Sequence, residues 1–379
     1  ALHRKYGLPI DGHAPGLMGD EVCKYAEAGI STDHECFTRE EAVEKIDAGM
    51  NIQIREGSAA KNFDALIDLL ADYPDQVMFC SDDKHPDDLA AGHINQLVKR
   101  AMQKGFDPLR VLRSCIYNPV RHYKLDVGLL RVGDSADYIV VDDLKAFNVL
   151  ETRINGIKVA EKGKTCIESV PVNALNNFNA TFIRAEDIAV SGSGSPIRVQ
   201  RALDGQLITK CEVKEPYLVD GKVVSDTQRD ILKLVAVNRY EQSQPVVGFT
   251  SGFGLQRGAI ASTVAHDSHN IIAVGVDEVD IVRAINLLIE QKGGISFVSG
   301  EQERVLPLPI AGLMSGDDGY KVAEEYKGMD ALAKEAGATL GAPFMTLSFM
   351  ALLVIPELKI SDKGIFDGKT FSFTSLFVE

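Results

Sequence analysis

Three short apolar segments each end in side chains able to hold a metal ion. Leu8-Pro9-Ile10 leads to Asp11-Gly12-His13, Ile30-Ser31-Thr32 leads to Asp33-His34-Glu35, and Val77 to Ser81 leads to Asp82-Asp83. Imidazole nitrogen and carboxylate oxygen are the usual ligands of a hydrolytic divalent ion, which makes hydroxide available near neutral pH. His13, His34 and Asp82 are therefore the leading metal ligands. A lone histidine at a strand end is more often a polar residue satisfied by backbone bonds. Two histidines and an acid at successive strand ends, in an α/β pattern, turn the balance toward a metal centre.

Such residues can meet only if the elements between them return the chain to the same end of a parallel sheet. From Leu8 to about Arg100 strands and helices alternate with short connections, the pattern of a parallel sheet or barrel. Asp20 to Ala28 reads as a helix stopped by Gly29. Thr38-Arg39-Glu40-Glu41 is a capping box opening a helix that turns Ala42, Val43 and Ile46 inward and stops near Gly49. Met50 to Ile54 is a strand, Ala59 to Ala71 a helix, Val77 to Ser81 a fourth strand. Asp87 to Lys104 reads as one long helical stretch, and a further helix after Pro108 ends near Tyr117-Asn118-Pro119. The character changes at Val120: Gly128, Gly133, Ala136 to Val141 and Ile154 to Val159 suggest a small β unit. From Pro171 a third region mixes strands such as Leu207 to Val213 with helices such as Asp277 to Gln291. Ser191 to Ser195 lacks the Lys-Ser/Thr of a phosphate-binding loop and reads as a turn.

The chain has 379 residues, 45% of them hydrophobic and 25% charged, enough for two or three domains. A net charge of -14 disfavours a phosphate-binding surface, so no nucleic-acid partner is expected and a small neutral ligand fits better. Six cysteines are scattered without a C-x-x-C pair, which suits a reducing compartment and leaves no cysteine-based zinc site. The cytoplasm is the expected location. No apolar run reaches the ~20 residues that span a bilayer, so no membrane association is expected.

The motifs are more specific than these patterns. His13 to Leu17, Gly29 to Glu35, Ile54 to Ala60 and Ser81-Asp82-Asp83 resemble the second half of the barrel of the adenine deaminases, in the amidohydrolase superfamily. Val127-Gly128-Leu129 through Gly133 to Tyr138 resembles the small β-sandwich that follows that barrel. Phe253 to Ala259, Ala265-His266-Asp267-Ser268-His269-Asn270 and Met345 to Phe349 resemble the carboxyl-terminal domain characteristic of adenine deaminases. The resemblance implies an α/β fold class: half of a (β/α)8 barrel over residues 1–119, a β-sandwich portion over 120–170 and an α+β carboxyl-terminal domain over 171–379.

It further implies hydrolytic deamination of adenine to hypoxanthine and ammonia by a metal-activated hydroxide. His13 and His34 become ligands from strands five and six, and Asp82 the acidic ligand of strand eight and the catalytic proton carrier. Two divalent ions, Mn2+ or Fe2+, belong to the complete site, and a homo-oligomer, a dimer, is expected. Adenine and water are the small-molecule partners. Arg55, Glu56, Ser58, Asp83, His266, Asp267 and His269 are the substrate-binding candidates. Several have plainer roles beside that one: Arg55 and Glu56 as partners of each other, Asp83 as a helix cap, and His266 to Asn270 as a hydrogen-bonded turn rather than a loop closing the barrel mouth. His85 reads as a surface residue, and His93 and His122 carry no role.

The family also places a His-x-His pair on its first strand and a bridging glutamate on its fourth. This chain has neither, and His3 is alone, so a chain starting mid-protein and binding metal weakly by itself is expected. Two other functions compete. Opening of a cyclic amide would share the barrel ligands but lack the Ala265 to Asn270 motif, and a catalytically incomplete chain would serve as a structural or binding subunit. The zinc deaminases that act on nucleic-acid bases are disfavoured because H-x-E and P-C-x-x-C are absent.

Overall fold

A computed structural model of the chain describes residues 5–192 and 194–378, so His3 and Ser193 lie outside the described residues. The chain divides into two units: one runs through Val170 without His85–Ala90, and the other comprises His85–Ala90 and the chain from Pro171.

The first unit is built on a parallel sheet of β1 (Asp11–Gly12), β2 (Thr32–Asp33), β3 (Asn51–Arg55) and β4 (Val77–Cys80), in that order. Parallel neighbours need a crossover, and helices Asp20–Glu27 and Arg39–Asp47 supply the first two. Helix 39–47 starts where the sequence indicates, with the Thr38 side chain accepting from the Glu41 amide at 3.3 Å. Ile52, Ile54, Val77 and Phe79 of β3 and β4 meet Phe63, Leu66, Leu97, Val98 and Ala101 in one core. Each fully buried Ile or Phe there contributes roughly 1.5–3 kcal/mol.

Three helices differ from the expectation. The stretch 59–71 is two short helices, Phe63–Leu66 and Leu69–Asp72, because Glu56 and Lys61 pair as a bridge and hold the preceding residues in an extended loop. The stretch 87–104 breaks into Pro86–Ala91 and Ile94–Gln103, with Gly92 between them at φ 156°, open only to glycine. The helix after Pro108 does not stop at Pro119. It passes through a π-helical segment, Arg113–Tyr117, into Asn118–Tyr123, where Pro119 sits in a first turn that needs no amide from it. A four-stranded antiparallel sheet follows, β5 (Tyr138–Val141), β6 (Val149–Ile154), β7 (Ile157–Glu161) and β8 (Lys164–Thr165).

The second unit centres on an eight-stranded sheet in the order 209–214, 197–202, 246–251, 232–237, 271–275, 259–262, 294–299, 302–307. Every neighbouring pair is antiparallel except 197–202 with 246–251. Its central strands, Leu232–Val237 and Ile271–Gly275, are buried throughout, as expected of strands covered on both faces. Helix Glu278–Gln291 contributes Ile281, Ala284, Ile285 and Leu288 to one core, and helices Gly319–Glu335 and Pro343–Phe349 contribute Tyr326, Met329, Phe344 and Leu347 to another. His85 belongs to this unit and is no surface residue: its ring lies edge-on to Tyr326 at 4.4 Å, and burial pushes its pKa down to about 4.

Lys359 is fully buried, donates to the carbonyls of Leu207 and Phe349 at 2.9 Å each, and has no acidic partner among the described residues. Burial lowers its pKa to about 7. Between about 7 and the ordinary 10.5 the unfolded chain therefore binds a proton that the folded chain does not. Stability should rise with pH across that window, by up to roughly 1.4 kcal/mol per pH unit. Urea unfolding from pH 7 to 10 should show the rise in the parent and its loss in Lys359→Met; equal slopes would refute the assignment.

Candidate active site

His13, His34, Arg55 and Asp82 stand at or just past the ends of β1 to β4, the end of a parallel sheet at which α/β proteins place their chemistry. Each is held from behind. The His13 amide donates to the Tyr25 hydroxyl at 3.0 Å, fixing the loop after β1 to helix 20–27. Asn62 clamps the next two segments: its amide nitrogen donates to the His34 carbonyl at 3.1 Å and its oxygen accepts from the Arg55 amide at 2.8 Å. The loops after β3 and β4 are joined by a bond from the Ser58 amide to the Asp83 carbonyl at 2.8 Å. Gly57 makes that approach possible, since a Cβ there would lie 2.7 Å from the same carbonyl.

The two imidazoles meet edge to face, centroids 4.7 Å apart. Ligand atoms of His13, His34 and Glu35 all lie within 4.8 Å of one another. Glu35 is 4% exposed, and its Oε2 faces His13 Nδ1 at 3.7 Å with no hydrogen-bond partner among the described residues. A buried carboxylate oxygen left unbonded beside two imidazoles fits a cation that completes it. Burial holds His34 below the ordinary histidine pKa against the opposing pull of Asp82 and Glu35, which favours the neutral imidazole a metal requires.

Asp82 stands outside that group of three. It adopts φ 56°, a left-handed conformation that aspartate tolerates better than most residues, and its Oδ2 accepts from Arg55 Nη1 at 2.5 Å. The same Arg55 nitrogen reaches Glu35 Oε1 at 3.3 Å, so one buried guanidinium spans the two carboxylates. The alternative of an Arg55–Glu56 pair is corrected: Glu56 pairs with Arg100 at 2.7 Å, because Arg55 is drawn to the acids across the strand ends. Asp83 is exposed.

His266, Asp267 and His269 lie in the second unit, on the turn between strands Ala259–Ser262 and Ile271–Gly275. The His266 ring stacks on Phe349 at 4.5 Å, and its amide donates to the Ser348 carbonyl at 3.0 Å. His269 returns an amide bond to the Ala265 carbonyl at 2.6 Å, and Tyr240 donates its hydroxyl to the Ser268 carbonyl at 2.8 Å. The segment is a hydrogen-bonded turn.

Glu35 stands in the sequence among the strand-end groups able to hold a metal but not among the leading ligands, although it directly follows His34. Its signal was an acid placed beside a ligand histidine, just beyond the strand end.

The matches to known proteins cover both units. The amidohydrolase family model matches residues 1–165, and the model for the adenine deaminase C-terminal domain matches residues 206–372. The adenine deaminase of Salinibacter ruber is 55% identical over 373 residues, covering 98% of this chain and 68% of that protein. Those of a Sulfurovum species and of Methanosarcina barkeri are 54% and 51% identical, with 68% and 70% of their lengths covered. Among solved structures, a beta-aspartyl dipeptidase of Fervidobacterium islandicum is 19% identical, with a TM-score of 0.36 over 45% of this chain and 50% of that one, a likeness too loose to carry an argument. With strand-end histidines in its first unit and the adenine deaminase C-terminal domain in its second, the chain belongs to the adenine deaminase family of amidohydrolases.

Proposed function

We propose that this protein hydrolyses adenine to hypoxanthine and ammonia, and that His13, His34 and Glu35 hold a divalent ion for the reaction. The observation that carries the reading is the convergence of their ligand atoms at the ends of a parallel sheet, in a chain of this family. Amidohydrolases are generally metal-dependent. A divalent ion supplies Lewis acidity there, lowering the pKa of water and polarising the purine.

The remaining work falls to the chain. Asp82 takes the proton of the attacking water and delivers it to the departing amino group, which is a poor leaving group until protonated. Arg55 fixes the direction of that carboxylate and of Glu35. Asp82 is proposed as a further donor to the ion, since one Arg55 nitrogen bonds both its carboxylate and that of Glu35. Glu56, Ser58 and Asp83 border the same strand ends, and we assign them, with Arg55, to positioning the purine. For His266, Asp267 and His269 the assignment to the purine rests on the family resemblance.

The finer architecture is proposed in the same way: half of a (β/α)8 barrel over 1–119, a β-sandwich portion over 120–170 and a carboxyl-terminal domain over 171–379. So are Mn2+ or Fe2+ as the metal, two ions in the complete site, a homodimer, and the cytoplasm. No described helix is long and apolar enough to cross a membrane. Opening of a cyclic amide is disfavoured by the match of residues 206–372 to the adenine deaminase domain.

Adenine consumption and hypoxanthine formation, followed by ultraviolet absorbance, test the reading directly. Activity should vanish on chelation and return with Mn2+ or Fe2+. A protein that turns over a cyclic amide but not adenine would overturn it.

A further inference from the structure

Behind the histidine site lies a second constellation of charge that belongs to no reaction step. Lys45, on helix 39–47, is fully buried, as is Asp33, and Glu41 is 2% exposed. The Lys45 ammonium is bonded to the Asp33 carboxylate and to Glu41 Oε1, the latter at 2.6 Å, and donates to the Ala14 carbonyl at 2.6 Å. Glu41 in turn accepts from the Gly16 amide at 2.7 Å through Oε1 and from the Phe37 amide at 2.9 Å through Oε2. Asp33 also accepts from the Glu35 amide at 3.0 Å.

Asp33 immediately precedes His34, and Ala14 immediately follows His13. One ammonium thus grips the residue next to each histidine. Its partner Glu41 grips the His13 loop again at Gly16 and the segment after His34 again at Phe37. Asp33, Cys36 and Glu41 have ligand atoms within 4.8 Å of one another, but the place of a cation among them is taken by the Lys45 ammonium, so they form a strut and not a second metal site.

We infer that Lys45, with Glu41 and Asp33, is a positioning device that sets the separation and direction of His13 and His34, and so determines how tightly they bind a divalent ion. The inference rests on the proposed role of those histidines as ligands. A side chain that joins two loops through both of their ligand-bearing ends acts as outer-shell partners do, and loss of such partners typically weakens metal binding 10–100-fold. The sequence alone gives no hint of this, since a helical lysine is ordinarily a solvated residue.

The experiment uses the intact protein loaded with Co2+, whose visible absorption reports ligand geometry, with affinity measured by chelator competition. Four proteins are compared: the parent, His34→Asn, Lys45→Met and Glu41→Gln. Lys45→Met strands two buried carboxylates and is the variant most exposed to misfolding. Glu41→Gln keeps acceptor and size, loses one charge, and decides the matter if Lys45→Met does not fold. The expected result is a parental Co2+ spectrum that depends on His34, an affinity roughly 10–100-fold weaker in the folded variants, and a shifted absorption band. A merely stabilising role would lower the melting temperature of the metal-free protein and leave the band unchanged. A parental spectrum and an affinity within about twofold in a folded variant would overturn the positioning role. A parent whose spectrum does not depend on His34 would instead overturn the ligand assignment, and this inference with it.

Discussion

Asp82→Asn should lower the rate of adenine deamination by roughly the 10²–10⁴-fold typical of losing a general acid–base group. Asparagine keeps the size of the side chain, and its oxygen can still accept from Arg55 Nη1, which the carboxylate now does at 2.5 Å. What it cannot do is take a proton from water and return it to the amine. The neighbouring acids are poorer candidates for that transfer. Glu56 is bound to Arg100 at 2.7 Å, and Asp83 lies one residue further along the loop, with its carbonyl tied to the Ser58 amide and no bond to Arg55 among the described residues. The measurement is adenine turnover by the metal-loaded variant beside its metal content. A variant that holds its metal and works at the parental rate would remove Asp82 as the proton carrier and return Glu56 and Asp83 to consideration. A fall in rate that parallels loss of metal, and is recovered by excess metal, would make Asp82 a ligand rather than a proton carrier.

The parts of this site that the sequence reveals are those governed by local rules. The four parallel strands lie in or directly after short apolar runs between helices, and Thr38 marks its helix start by the chemistry of its hydroxyl. The histidines are visible because they sit where such strands end. What stays hidden depends on contacts distant in sequence. Gly92 is tolerated by a helical pattern, so the break there shows only in its φ. The π-helical segment before Asn118 carries no marker in its residue types; Asn118 is held by bonds to the carbonyls of Pro74 and Val77, at 2.8 Å each, more than 40 residues away. Arg55 reads as a partner for its neighbour Glu56 and pairs with Glu35 and Asp82, which only folding brings near.

Glu35 is the most informative omission. Along a strand, adjacent side chains point to opposite faces, which argues against His34 and Glu35 sharing a site. β2 ends at Asp33, so the alternation no longer binds them, and both turn toward His13.

Glu35→Gln tests whether that convergence has a purpose. The substitution preserves shape and leaves an oxygen for Arg55 Nη1, which Glu35 Oε1 now accepts at 3.3 Å. It removes the negative charge that faces His13 Nδ1 at 3.7 Å, and replaces an anionic ligand by an amide, a weaker donor to a divalent ion. Metal affinity should fall by roughly 10–100-fold or more, the scale on which even outer-shell partners act. Turnover should fall with it at limiting metal and recover in excess metal, because Asp82 is untouched. That recovery separates this variant from Asp82→Asn, whose deficit should persist at saturating metal. Elemental analysis after dialysis, alongside turnover as metal is titrated back, measures both quantities. If Glu35→Gln keeps its metal through dialysis as the parent does, then Glu35 serves only as a counter-ion of Arg55, and the ion depends on His13 and His34 with Asp82.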